Sequence, residues 1–265
     1  MIGAAGVTLA VHGLTKRMGG RQVIDDLSLS VHPGECIALL GPSGAGKTTL
    51  IRCMSGQLPP DSGHVLLDGQ DVLSMRRSTR RRIAVVFQQF NLVGRLDATD
   101  NVLAGRLGHM SAWRAMLRRF DSNDQLLALQ CLERVGMLEH ASQRADTLSG
   151  GQQQRVAIAR ALAQRPKVIL ADEPIASLDP VNGEAILDLL RDIARTEGVA
   201  VVCSLHQLEF AREWADRIVG MAPDGAVVNL PARSFDARAR DDIYGRVWGS
   251  KEEAGLSRLL RDLYV

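Results

Sequence analysis

One short stretch constrains the fold of this 265-residue chain more than any other, because it joins a strand pattern to a helix pattern through a glycine-rich turn. Residues 41–48 read Gly-Pro-Ser-Gly-Ala-Gly-Lys-Thr and match the pattern G-x-x-x-x-G-K-[ST]. An apolar run at Glu35–Leu40 precedes them, and Leu50, Ile51 and Met54 follow at helical spacing. Glycine lets the backbone present a nest of N–H donors, and the start of a helix adds about half a positive charge. The stretch therefore predicts a phosphate-binding loop.

The residues of this loop have distinct expected roles toward a nucleotide. The Lys47 side chain is expected to reach the β- and γ-phosphates, and the Thr48 hydroxyl to bind Mg²⁺. A chance glycine-rich turn is the alternative, but the strand and helix patterns on either side argue against it. The residues predicted to contact the nucleotide are Gly41, Pro42, Ser43, Gly44, Ala45, Gly46, Lys47, Thr48 and Thr49.

Another apolar run, Val168–Ala171, ends in the two acidic residues Asp172 and Glu173. Ligands of open α/β folds bind at the carboxyl ends of the strands. Because adjacent residues of a strand point in opposite directions, the two carboxylates can have different functions. Asp172 is predicted to hold Mg²⁺ through its water shell, and Glu173 to act as the general base for the attacking water. Without the phosphate-binding loop, a charged strand terminus would explain the pair equally well.

A second glycine-containing helix start follows at Leu148–Gln152. A serine hydroxyl and unblocked backbone N–H groups predict a second anion site, separate from the first. The alternative is a well-capped helix without a ligand. The candidates for this second nucleotide contact are Ser149, Gly150, Gly151 and Gln152.

The rest of the pattern predicts an α/β fold. Short strands separated by Gly19-Gly20 and Pro33-Gly34 predict an antiparallel sheet, built from Val7–Val11, Ile24–Val31 and Val65–Leu67. Apolar, β-branched runs predict a central parallel sheet that is flanked by helices. These runs are Glu35–Leu40, Ile83–Phe87, Lys167–Ala171 and Val199–Ser204.

Between Gln88 and Arg165 helical spacing replaces the strand patterns, which predicts an inserted helical subdomain. Its predicted helices are Met110–Phe120, Asp124–Val135 and Gly151–Ala163, with a cap at Asp121–Asn123 before the second. The predicted division is a nucleotide-binding core with an antiparallel β subdomain at 1–87 and 166–230, a helical subdomain at 88–165, and a C-terminal helical tail at 231–265.

Composition and charge limit the possible partners. The net charge of +2 gives no argument for nucleic acid. The four cysteines are scattered singly, which suits a reducing cytoplasm. The first residues lack a secretory signal pattern, and the longest apolar runs fall short of the ~18 residues of a membrane-spanning helix. A role at a membrane is therefore expected to depend on a partner.

With these motifs in one chain, Leu148–Gln152 resembles the hallmark sequence of the ATPase subunits of ATP-binding cassette (ABC) transporters. The resemblance covers roughly Val7–Gly245 and implies a P-loop NTPase core that binds ATP and Mg²⁺. It also implies that Gln88 contacts Mg²⁺ and water, and that Asp179 belongs to the D-loop. His206 would be the switch histidine, which orients Glu173 and the γ-phosphate.

The same resemblance implies an arrangement of two copies. In this family two cassettes pack head to tail, so that Ser149–Gln152 of one subunit covers the ATP bound to residues 41–48 of the other. The family usually places an aromatic residue shortly before the first glycine-rich turn, where it stacks on adenine. In this chain the corresponding position holds Met18, a thioether that packs less well on a purine.

Further segments resemble the ATPases of bacterial phosphonate importers, among them Asn91–Leu96, Asn101–Gly108 and Leu205–Gln207. This resemblance implies a homodimer on the cytoplasmic face of the inner membrane, docked on transmembrane permease subunits. An extracytoplasmic phosphonate-binding protein would deliver the solute. Import of phosphate, phosphite or a polar amino acid is the alternative, and an ABC ATPase acting on nucleic acid is a further one. Ser204 stands where asparagine is expected.

Overall fold

The computed structural model describes residues 6–110, 113, 119–223, 225, 227–236, 239–241, 243 and 244. Within that part, the strands form a four-stranded sheet and a six-stranded sheet. The strands are β1 (Leu9–Met18), β2 (Arg21–Val31), β3 (Cys36–Leu40), β4 (Ser62–Leu67), β5 (Gln70–Asp71), β6 (Ile83–Val86), β7 (Val168–Asp172), β8 (Ala200–Ser204), β9 (Arg217–Met221) and β10 (Val227–Pro231).

Helices connect these strands. The α-helices described are α1 (Lys47–Met54), α2 (Arg77–Arg80), α3 (Ala98–Leu103), α4 (Ser122–Arg134), α5 (Gly150–Leu162), α6 (Pro180–Glu197) and α7 (Leu208–Trp214). Short 3₁₀ segments lie at Ala104–His109, Leu138–His140, Ala145–Thr147 and Ala232–Ser234. The alternation of strands and helices confirms the predicted α/β fold.

The smaller sheet is antiparallel, in the order β2-β1-β4-β5, as predicted. Its strand β1 continues to Met18, so the predicted end at Val11 is too early. The register between β1 and β2 shifts between Val11 and Leu14, and Gly13 in this bulge has a φ of +56°. A bulge interrupts the alternation of apolar residues without ending the pairing, which explains the misplaced boundary.

The larger sheet has the order β10-β9-β3-β8-β7-β6. Neighbouring strands from β9 to β6 are parallel, and β10 pairs antiparallel with β9. The predicted central strands are all present, while β9 and β10 extend the sheet beyond the prediction. The parallel arrangement brings the carboxyl ends of β3, β7 and β8 to one edge.

Both faces of the larger sheet are buried, and β3 shows this most clearly. Its residues Cys36, Ala38 and Leu40 belong to the core that the helices cover. The alternate residues Ile37 and Leu39 belong to a second core, shared with α1 and the smaller sheet. A strand buried on both faces reads as a continuous apolar run, which is the signal that predicted it.

The helices α3, α4 and α5 pack against one another between β6 and β7 in the chain. The Asp121 carboxylate accepts a hydrogen bond from the Asp124 N–H, so the predicted cap of α4 is confirmed. The predicted helix Met110–Phe120 lies largely outside the described residues. The predicted subdomain boundaries stay predictions. Among the described residues, no helix combines the length and the apolar character needed to span a bilayer.

The four cysteine thiols should be inert in the folded protein. Burial raises the pKa of Cys36 to about 12 and the pKa values of Cys53 and Cys131 to about 11, and it also raises the pKa of Cys203. Since the thiolate is the reactive form, a polar disulfide reagent at about pH 8 should label no thiol in the native state and all four after unfolding in guanidinium. Rapid labelling of the native protein would contradict the burial described here.

Candidate active site

The glycine-rich stretch forms a tight loop between β3 and α1. Gly46 has a φ of +99°, and a Cβ there would lie 2.8 Å from Val23 Cγ1 and 2.9 Å from the Val23 carbonyl oxygen. A Cβ on Gly41 would lie 2.3 Å from the Met221 carbonyl oxygen. The loop therefore passes between β2 and β9 with no room for a side chain at either glycine. Ala45 is buried, whereas Ser43 and Gly44 are exposed.

The start of α1 is open to an anion. Its N-cap, Gly46, offers no side-chain cap, and the first turn contains no acidic residue. The first backbone N–H groups of a helix have no partner within the helix, and together with the helix dipole they favour negative charge. Thr48 and Thr49 lie in this turn and are half-buried. The prediction of a phosphate-binding loop thus has the required local geometry.

The Lys47 side chain folds back over the loop. It is 5% exposed, and its ammonium donates hydrogen bonds to the carbonyl oxygens of Gly41 at 2.6 Å and Pro42 at 3.2 Å. Burial lowers the pKa of Lys47, and the nearby carboxylates of Glu173 and Asp172 oppose this shift. An arriving phosphate would therefore meet a buried cation already at the loop.

The Asp172 carboxylate joins three elements at the sheet edge. Its Oδ1 accepts hydrogen bonds from Thr48 Oγ1 at 3.2 Å and from Ser204 Oγ at 2.9 Å. Carboxylate and hydroxyl oxygens are ligands that suit Mg²⁺, which retains several waters when bound. The pairing of Thr48 with Asp172 beside the phosphate-binding loop therefore fits the predicted metal site.

Glu173 lies just beyond β7 in an unusual backbone conformation. Its φ of +50° is in the left-handed region, which few residues other than glycine adopt. Its N–H donates to Ser204 Oγ at 2.8 Å, and its carboxylate Oε1 lies 2.6 Å from His206 Nε2. Strained backbone of this kind occurs at functional sites. The structure thus brings the predicted general base into contact with the predicted switch histidine.

The second glycine-containing helix start has a different geometry. Ser149 Oγ accepts from the Gln152 N–H, and the Gln152 side chain accepts from the Ser149 N–H, which makes a capping box. Gly150 lies next to Leu178, and Gly151 lies next to Asn182. Ser149 itself is exposed. A well-capped helix therefore describes this end within a single chain, and its contact with a nucleotide stays a prediction.

Gln88 and Asp179 lie near this second helix start. Gln88 follows β6, is exposed, and lines a cleft together with Phe90, Gln153 and Ser177. Asp179 caps α6 by accepting from Asn182 N–H at 3.1 Å and Asn182 Nδ2 at 2.6 Å. These hydrogen bonds hold the pKa of Asp179 below its usual value.

The contacts described bring most of the predicted site residues to the carboxyl edge of the sheet: Lys47 contacts its own loop, Thr48 contacts Asp172, and Glu173 contacts His206. Asp179 lines a cavity together with Glu173 and His206. The remaining residues, Gln88 and Ser149 to Gln152, lie at or beside the start of α5. Two residues outside the predicted set also contact the site: Ser204 bonds to Asp172 and Glu173, and Val23 packs against Gly46. A serine at the end of a buried strand is a signal that the sequence offers for the first, and no sequence pattern indicates the second. Met18 is 46% exposed at the end of β1.

Comparison with known proteins agrees with this geometry. A family model described as ABC transporter matches residues 24–176. The chain is 48% identical over 238 residues to the phosphonates import ATP-binding protein of Bradyrhizobium diazoefficiens, with 88% of each chain covered. It is also 48% identical to the hypophosphite import ATP-binding protein of Stutzerimonas stutzeri, with 88% of this chain and 70% of that protein covered.

Solved structures that match this chain are also ATP-binding cassettes. A dimeric ATP-binding cassette in a post-hydrolysis state, bound to ADP and Pi, is 33% identical with a TM-score of 0.72, and the match covers 86% of this chain and all of that one. A cassette of the cbiONQ ABC transporter complex from Clostridium perfringens is 25% identical with a TM-score of 0.76, covering 93% and 99%. The fold is thus that of an ATP-hydrolysing P-loop cassette. The chain belongs to the ABC transporter family.

Replacement of Gly46 by alanine should disrupt this site far more than replacement of Gly20. Both residues have a positive φ, of +99° and +82°, but a Cβ on Gly20 meets nothing within 4 Å. Gly20→Ala should therefore cost about 1 kcal/mol for the backbone conformation alone. Gly46→Ala adds a clash with the Val23 carbonyl and should cost roughly 2–4 kcal/mol.

The measurements are thermal unfolding and equilibrium binding of a fluorescent ATP analogue. Gly46→Ala should lose nucleotide binding, whereas Gly20→Ala should keep it. Equal effects of the two substitutions on binding would show that close packing against Val23 is not what shapes the loop.

Proposed function

We propose that this protein is the energy-coupling ATPase subunit of a bacterial phosphonate importer. The observation that supports it best is the pair of helix starts. Helix α1 begins at Lys47 without a side-chain cap. Helix α5 is capped by the exposed Ser149, and its first residues lie next to Leu178 and Asn182. A head-to-tail homodimer accounts for both ends, because the serine end of one copy would then cover ATP on the loop of its partner.

In this dimer, different residues of one copy bind the phosphates of ATP and the metal ion. Lys47 exchanges its two carbonyl partners for the β- and γ-phosphates of ATP, and the N–H groups of the loop bind the phosphate oxygens. Thr48, Asp172 and Gln88 would hold Mg²⁺, which neutralises charge on the phosphates when bound. Ser149 to Gln152 of the opposing copy complete the site, and Met18 packs on the adenine.

Glu173 acts on the attacking water. Its carboxylate accepts a proton from the water, which is directed in line at the γ-phosphate. His206, at 2.6 Å from this carboxylate, orients it and contacts the γ-phosphate. ATP binding closes the dimer and hydrolysis opens it, so that contacts to the γ-phosphate are converted into motion.

The proposed partners are two transmembrane permease subunits and, through them, an extracytoplasmic phosphonate-binding protein. The cleft lined by Gln88, Phe90 and Gly94 lies beside the start of α5, where it can receive a helix of the permease. The protein would then be peripheral to the cytoplasmic face of the inner membrane. No residue of a cassette contacts the transported solute, so the solute rests on the relatives alone.

Hypophosphite is the second candidate solute, because a hypophosphite import relative matches at the same 48% identity as a phosphonate import relative. A deletion strain should be tested for growth with a phosphonate, hypophosphite or phosphate as sole phosphorus source. We expect loss of growth on the phosphonate, restored by this gene, and unchanged growth on phosphate. Loss on hypophosphite alone would reassign the solute and leave the ATPase function intact.

Glu173→Gln should stop turnover without preventing ATP binding. Removal of a general base typically costs 10²- to 10⁴-fold, so we expect kcat to fall by at least about 100-fold. The variant should form a stable dimer with ATP, measured by light scattering, because every phosphate contact remains. Glu184→Gln, an exposed change of the same chemistry on α6, is the control. Normal hydrolysis by Glu173→Gln would remove Glu173 from the proposed role.

A further inference from the structure

Ser204, the last residue of β8, is a fully buried polar residue to which neither the motifs nor the family resemblance gives a role. Its exposed fraction is 0%. Its hydroxyl donates a hydrogen bond to Asp172 Oδ1 at 2.9 Å and accepts one from the Glu173 N–H at 2.8 Å. A single hydroxyl thus contacts both residues of the acidic pair.

The sheet fixes this position. β7 and β8 are parallel, and Asp172 pairs in register with Ser204. The hydroxyl therefore lies beside the acidic pair because of the main-chain pairing, and not through a flexible side chain. Serine has one side-chain torsion to its oxygen, so little conformational freedom remains in a buried strand.

Each of the two hydrogen bonds constrains one residue of the acidic pair: one bonds the main chain of Glu173, and the other bonds the carboxylate of Asp172. The Glu173 backbone has a φ of +50°, and its N–H would lack this partner if the hydroxyl were removed. The carboxylate oxygen that Ser204 contacts is the same oxygen that accepts from Thr48. Loss of the hydroxyl would free the Asp172 carboxylate to rotate and the Glu173 peptide to relax.

We propose that Ser204 is a positioning residue for ATP hydrolysis, which fixes the Asp172 carboxylate toward Thr48 and the Glu173 main chain toward His206. Ser204 does not touch the reacting atoms and acts through the two acids. This inference rests on the functions proposed above for Asp172 and Glu173.

The test compares variants that differ in the hydroxyl. Ser204→Ala removes it. Cys203→Ala is a matched control in the same buried strand. Among the hydrogen bonds described, the Cys203 thiol has one, to the main-chain oxygen of Ser204 at 3.7 Å. Ser204→Thr and Ser204→Val form a second pair, nearly equal in shape, of which threonine alone keeps the hydroxyl. This second pair decides the question if Ser204→Ala does not fold.

We expect Ser204→Ala to lower kcat by at least about tenfold, because small errors in the placement of reacting groups cost up to ~10²-fold. The KM for ATP should stay within about twofold, since the phosphate-binding loop is unchanged. Ser204→Thr should retain most activity, and Ser204→Val should resemble Ser204→Ala. A residue that only stabilises the fold would lower the unfolding temperature without this division between kcat and KM.

A binding measurement gives a readout that is independent of turnover. Mn²⁺ can replace Mg²⁺ as a paramagnetic probe, and its affinity for the ATP-loaded protein can be measured by electron paramagnetic resonance in the Glu173→Gln background. We expect several-fold weaker Mn²⁺ binding with Ser204→Ala and no change with Cys203→Ala. Unchanged Mn²⁺ affinity, turnover within twofold of the original protein, or equal activity of the threonine and valine variants would overturn the inference.

The outcome for Glu173→Gln separates this inference from the function on which it rests. If Glu173→Gln hydrolyses ATP normally, the proposed function of the acidic pair is wrong. If Glu173→Gln is inactive but Ser204→Ala turns over normally, the acidic pair retains its function and the inference about Ser204 is wrong.

Discussion

One carboxylate oxygen, Asp172 Oδ1, connects the three elements on which the proposed nucleotide site depends, which are α1, β7 and β8. It accepts from Thr48 on α1 and from Ser204 on β8, while Asp172 itself ends β7. The three elements come from distant parts of the chain, and the parallel sheet brings them to one edge. A carboxylate at this position is stabilised by two hydroxyl donors, and their removal would leave a charge without its hydrogen bonds.

The two glycine-containing helix starts differ in what pairs with their first N–H groups. At α1 no side chain caps these N–H groups, and Lys47 places a positive charge near them. At α5 the serine and glutamine satisfy each other in a capping box. The first helix start therefore leaves N–H groups available to a ligand, whereas the second satisfies part of its own hydrogen bonding.

Much of this was predictable from the sequence, because the signals are local. The apolar run of β3 and the cap at Asp121 follow from patterns of neighbouring residues, and the structure has both. The continuation of β1 past its bulge and the addition of β9 and β10 depend on pairing between distant segments. The contact between Glu173 and His206 was expected from family resemblance alone, since no local pattern links them. No local pattern assigns partners to the Ser204 hydroxyl, because the register between β7 and β8 brings those partners to it.

The folded-back Lys47 has a consequence for the rigidity of its own loop. Its ammonium donates hydrogen bonds to the carbonyl oxygens of Gly41 and Pro42, so a side chain from the start of α1 is tied to the first residues after β3. This internal cross-link restricts the backbone torsions between the two ends of the loop. The loop is therefore preorganised by its own chain, which reduces the entropy that would be lost on binding a ligand.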